Sequence, residues 1–192
     1  MTAILKVDTI QDTAGNNIIN ESSDTITIGA SGDTISIPSG ATIANSGTAT
    51  GFGKVLQVVQ TVFTGAKSTT STSLTDVSGA SVSITPSSTS SKVLVFVHAN
   101  DSQKGNDSAV SGTMALLRGS TQLIQLGGQI GYTGAANYNN VGTVSGMYLD
   151  SPATTSATTY KLQFSTNTGN TFYINANSNT DSMITAVEIA GW

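Results

Sequence analysis

The chain has 192 residues, 38% of them hydrophobic, enough for a packed core, but only 9% are charged and Ser and Thr supply most of the polarity. A net charge of −4, with seven basic residues scattered singly, offers no basic face to a phosphate backbone and argues against nucleic acid as a partner. With no cysteine there is no disulfide, thiolate nucleophile or cysteine zinc site. No apolar run is long enough to span a bilayer, and the opening MTAILKVDTIQD lacks the apolar centre of a secretory signal.

Residues 1–22 carry Ile4, Leu5, Val7, Ile10, Ile18 and Ile19, too few apolar groups for a core of their own. Ala14-Gly15-Asn16-Asn17 is a turn signal between two short extended pieces. The segment is expected to form a hairpin-like patch that packs against another chain.

Residues 23–53 open with DTITIGASGDTISIPSG, in which D-T-I-x-I is written twice, followed by a degenerate third copy in ATIANSG. Strict alternation puts Ile26 and Ile28, then Ile35 and Ile37, on one face of a strand, with Thr and Ser on the other. Gly29, Gly32, Pro38 and Gly40 end each strand after a few residues and exclude a long helix. These isoleucines, with Ile43 as the fifth, bury too little surface to offset the entropy of ordering the segment in one chain. Burial shared between copies, most simply three, makes up the shortfall and pairs the strand edges, so a short trimeric β-repeat shaft is expected. ANSGTATGFG (44–53) reads as a Gly-rich joint.

Residues 54–192 recur in strand-like runs: KVLQVVQTVFT, SVSIT, KVLVFVHA, TMALLR, TQLIQL, VGTVSGMYL, YKLQFST, TFYINA and MITAVEIA. Gly119-Ser120 suits a two-residue hairpin, and Asn167-Thr168-Gly169-Asn170 reads as another. Residues 93–97 are apolar on both faces, as a central strand is. With no helical period, the region is expected to be a jelly-roll-like β-sandwich head.

The chemistry in the sequence is sparse. His98 shares a strand face with Leu94 and Phe96 and reads as a partly buried, hydrogen-bonded structural histidine, and no nucleophile elbow accompanies it. Asp101, Asp107, Asp150, Asp181 and Glu188 are the carboxylates a glycosidase would have to use. The aspartates fit turns, and Glu188 is expected to face solvent because it alternates away from Met183, Val187 and Ile189. HANDSQKGNDSA (98–109) reads as a solvated loop lacking both calcium-loop patterns. Asn20, Asn100 and Asn106 begin glycosylation sequons of the kind chance supplies in such a composition. GYTGAANYNN (131–140) sets Tyr132, Asn137, Tyr138, Asn139 and Asn140 on one loop, a mix of flat rings and amides suited to recognising sugar or protein. Trp192 is expected at a subunit interface or the base of the sandwich. No catalytic residue, metal site or cofactor is expected.

The stretch ILKVDTIQDTAGNNIINESSDTITIGASGDTISIPSGATI resembles the N-terminal part of tail-fibre and related virion proteins of tailed bacteriophages, particularly those of marine cyanobacteria. TPSSTSSKVLVFV and the ending MITAVEIAGW are similar, more loosely, to the β-sandwich heads of such proteins. The resemblance implies a virion anchor at Ile4, Leu5, Val7, Ile10, Ile18 and Ile19, and a shaft core at Ile26, Ile28, Ile35, Ile37 and Ile43. It also implies an all-β homotrimer docked on a tail or adaptor protein, whose head meets a host glycan or outer-membrane protein. Alternatives are a head fibre, collar or capsid decoration without a receptor, and a polysaccharide depolymerase.

Overall fold

The computed structural model describes residues 9–11, 13–15, 17–22, 25–29, 31–41, 55–136, 142–177 and 179–191. Ile4, Leu5, Val7, Ile43, Asn137, Tyr138, Asn139, Asn140 and Trp192 lie outside them. The protein divides into two compact units, Met1–Thr50 and Gly51–Trp192.

In the first unit, β1 (Thr9–Gln11), β2 (Asn17–Ser22) and β3 (Thr25–Ile28) form an antiparallel sheet in chain order. Gly15, at a φ of +84°, makes the turn between β1 and β2, and the Gln11 Nε2 donates to its carbonyl at 3.0 Å. Ile10 pairs with Ile19, and Ile19 with Ile28, so one isoleucine row crosses all three strands. All three remain exposed, as do Ile26, Ile35 and Ile37. The second D-T-I-x-I copy differs from the strand expected of it: residues 33–38 belong to no strand. Alternation prepares a strand, but a ladder needs a neighbouring edge, and β3 pairs only with β2 among the described residues.

Ten strands make up the second unit among the described residues: β4 (Val55–Thr64), β5 (Lys67–Thr69), β6 (Thr75–Ile84), β7 (Lys92–Lys104), β8 (Gly112–Arg118), β9 (Thr121–Ile130), β10 (Gly142–Asp150), β11 (Thr158–Thr166), β12 (Phe172–Ile174) and β13 (Asp181–Ile189). All pairings are antiparallel. One sheet runs β4-β13-β7-β10, with β12 and β5 continuing it beside the end of β7; the other runs β6-β11-β8-β9. Setting aside the short β5 and β12, successive long strands switch sheets at every connection except the β8–β9 hairpin, as in a doubly wound pair of Greek keys. This is jelly-roll wiring.

Val82, Val93, Val95, Leu116, Tyr160, Leu162 and Ile184 fill the space between the sheets, and Phe164 meets Phe172 edge to face at 6.5 Å. The two-residue hairpin at Gly119-Ser120 forms as expected, with Gly119 at positive φ.

Three expectations are corrected. Residues 98–104 are strand, not loop: a bulge at Asp101, whose φ is +44°, shifts the alternation and turns Ser102 and Lys104 inward. Residues 167–170 do not close a hairpin, because β11 and β12 belong to different sheets. Glu188 is buried rather than solvent-facing. It shares the inner face of β13 with Ile184 and Ala186, while the more apolar set Met183, Val187 and Ile189 points outward.

Candidate functional site

Because the long strands alternate in direction, the connections fall into two sets. β4 enters the sandwich at the end that also holds the β6–β7, β8–β9 and β10–β11 connections. The opposite end carries 65–74, 105–111, the β9–β10 connection (described as far as 136), 167–171 and 175–180. Tyr132, the candidate recognition residue among the described ones, stands exposed at this far end.

The far-end loops are held by side chains that act as backbone surrogates. Lys104, turned inward by the bulge and fully buried, donates its Nζ to the carbonyls of Asp107 and Ala135, the latter at 2.8 Å. One cation thereby joins the β7–β8 and β9–β10 connections. The Ala109 amide donates to the Thr133 carbonyl at 3.1 Å, and the Thr133 hydroxyl to the Ala135 carbonyl at 3.0 Å. Asn167 accepts from the Ser111 amide at 2.8 Å and donates its Nδ2 to the Ala109 carbonyl at 2.9 Å. Asn175, also fully buried, donates to the Phe63 carbonyl at 3.0 Å and accepts from Ser182, whose hydroxyl accepts from the Asn100 amide. Asp101 accepts from Asn177 and Thr180.

Beside these clamps lies a shallow polar cleft of about 330 Å³ lined by Gln103, Lys104, Gly105, Asn106, Tyr173 and Ala176. Its amides and Tyr173 can meet polar groups of a surface, and its lining carries no carboxylate. Lys104, Asn175 and Tyr173 were not singled out in the sequence. A bulge that reverses strand phase leaves no compositional mark, so nothing announced that Lys104 points inward.

The carboxylates are used structurally. The Asp150 carboxylate receives Arg118 Nη1 at 2.8–2.9 Å and the Tyr160 hydroxyl at 2.7 Å. Glu188 receives Gln57 Nε2 at 2.6 Å, the Ser87 amide at 2.7 Å and the Ser87 hydroxyl at 2.6 Å. Burial pushes the Glu188 carboxyl up, but these hydrogen bonds outweigh it and hold it at about 2. Burial, with Asp150 beside it, pushes the Tyr160 phenol up. His98 pairs its Nδ1 with the Ser145 hydroxyl at 2.8 Å on the outer face of the first sheet. Among the described residues no three His, Asp or Glu side chains converge as metal ligands, and no helix is long and apolar enough to cross a membrane.

No protein-family model matches the chain, and no curated protein does. Solved structures similar to it include the infectious bursal disease virus VP2 subviral particle, at 13% identity over 82% of this chain and 37% of that one, with a TM-score of 0.37. The Gt strain of that virus matches at 10% identity over 83% and 42%, with a TM-score of 0.38. T=1 particles derived from infectious bursal virus match at 12% over 92% and 45%, with a TM-score of 0.37. The chain thus spans less than half the length of these proteins.

Proposed function

We propose that this chain is a virion structural protein of a tailed bacteriophage: a non-enzymatic, homotrimeric tail fibre whose head contacts the host surface. Residues 1–22 attach it to a tail or adaptor protein, and residues 23–53 form a shaft around Ile26, Ile28, Ile35, Ile37 and Ile43. The far end of the sandwich presents Tyr132 and its neighbouring loop to a host glycan or outer-membrane protein. The resemblance of residues 4–43 to tail-fibre proteins supports the anchor and shaft.

The observation that carries the receptor role is the far end itself. Its loops are pinned by buried Lys104 and Asn175 at the end opposite to where β4 enters. A pre-ordered polar surface loses little entropy on binding, and several weak copies held together gain affinity by multivalency.

Binding of labelled full-length protein to host cells tests this. Saturable binding is expected, weakened at least tenfold by Tyr132→Ala together with Tyr173→Ala. Binding that is absent, or unchanged in that variant, overturns the receptor role, and density for the chain at the head or collar of the particle makes it a decoration protein. Release of oligosaccharide from host polysaccharide, abolished by a carboxylate substitution, overturns the non-enzymatic assignment.

A further inference from the structure

The two outer faces of the sandwich are written differently. On the second sheet the outward residues include Asp76, Ser81, Ser83, Lys161 and Gln163, with a Lys161–Asp76 ion pair at 2.8 Å. This is an ordinary solvated face. On the first sheet the outward positions carry Val58 and Val62 of β4, Phe96 of β7, and Met147 and Leu149 of β10. Exposure reaches 60% at Val58 and 65% at Met147.

No Lys, Arg, Asp or Glu stands on that face between Lys92 at one margin and Asp181 at the other. The polar groups interrupting it are already paired with each other: Gln60 Nε2 donates to Thr185 Oγ1 at 2.9 Å, His98 Nδ1 meets Ser145 Oγ at 2.8 Å, and Thr143 Oγ1 donates to Asn100 Oδ1 at 3.0 Å. These internal bonds lower the cost of taking such a face out of water. A groove of about 600 Å³ runs across its middle, beside Phe96, Met147 and Met183.

We propose that the outer face of β4-β13-β7-β10 is a subunit interface, covered in the assembled protein by a second copy of this chain. Four strands about 4.8 Å apart, with about seven residues each at 3.3 Å, make a footprint of roughly 400 Å². That is the size of an apolar interface centre, which a polar rim extends toward the ~800 Å² per partner of a standard interface. Copies of a chain with net charge −4 repel, so a self-association surface has to be uncharged, and this face is. A partner of opposite charge would call for acidic groups here, and there are none. Phe and Met, enriched at interface centres, occupy its middle.

The inference goes beyond the proposed function, which places assembly in the isoleucine repeat, and it stands without any receptor. The absence of cysteine allows a direct test in the full chain. Wild type is expected to sediment at a multiple of 19.5 kDa. Met147→Cys or Gln60→Cys is expected to give a covalent dimer on oxidation, and Ser81→Cys, on the other sheet, none. Phe96→Asp with Met147→Asp should weaken association at least 100-fold with unchanged circular dichroism; Leu149→Lys replaces it if that variant does not fold. A monomeric wild type overturns the interface. So does an oligomer that no first-sheet cysteine links, or one that survives the charged variants; host-cell binding decides the receptor role separately.

Discussion

Asp150 and Glu188 each lie opposite Val93, from the strands on its two sides, so two buried carboxylates share the inner face of the first sheet. They are satisfied in different ways. Asp150 has a cation, Arg118, and the Tyr160 hydroxyl; Glu188 has only neutral donors, Gln57 and Ser87. The first pairing joins β10 to β8 and β11 in the other sheet, and the second ties β13 to β4 and to the β6–β7 connection.

Glu188 contributes to the acid limb of stability. The Glu188 carboxyl stands at about 2 in the folded protein against an ordinary 4.5. A lowered value favours the folded state above the ordinary one, so the contribution is intact above pH 4.5 and is lost as pH falls toward 2. Urea midpoints should fall across that window in wild type and change less in Glu188→Gln. That variant itself should cost about 1–3 kcal/mol at pH 7, because its amide sets a donor among donors. The raised Tyr160 phenol works at the other extreme: its contribution is present below pH 10 and is lost as pH climbs above it, a loss absent from Tyr160→Phe.

Arg118→Met leaves Asp150 buried with Tyr160 as its remaining partner in the cluster, and should destabilise the head by about 3 kcal/mol. Arg118→Met with Asp150→Leu should recover most of that loss, since an apolar pair replaces the charges without leaving one uncompensated. Denaturant unfolding of the single and double variants checks this. A double variant no better than the single would mean that Asp150 matters mainly through Tyr160.

Lys104→Met removes the donor shared by the Asp107 and Ala135 carbonyls. The loss should be about 2 kcal/mol, and most of it should be local. Hydrogen exchange at Ala109 and Tyr132, whose amides bond across and within the far-end loops, should speed at least tenfold. Amides of β11 and β13 should change far less.

Gly112 sits against Phe172, where an added Cβ would lie 2.3 Å from the ring. Gly112→Ala must therefore displace a core aromatic that is fully buried, at a cost of about 2 kcal/mol or more. Gly134→Ala, with nothing within 4 Å, is the control and should change the midpoint little.

Strand character was legible in the head because period-2 alternation and turn residues are local signals. Tyr160, Leu162 and Phe164 point inward as their pattern required, and Gly119-Ser120 turns the hairpin it encodes. The inner face of β13 differs from the expected one because its outward side is the more apolar one. Alternation identifies two faces but not which is inside, and Glu188 is accommodated inside because Gln57 of β4 and Ser87 of the β6–β7 connection reach it from far away in the chain. Apolarity on both faces of residues 93–97 marks a central strand. β7 is central, yet Phe96 remains exposed on the outer side.

By itself the sequence determined the all-β class, the short isoleucine-faced strand at Thr25–Ile28 and the turns that end strands, since each follows from neighbouring residues. Only the tertiary structure decided the jelly-roll order, the inward turn of Lys104 and the satisfaction of Asp150 and Glu188. Those depend on partners far away in the chain, 131 residues for Gln57 and Glu188, and no local pattern encodes which strand will lie beside which.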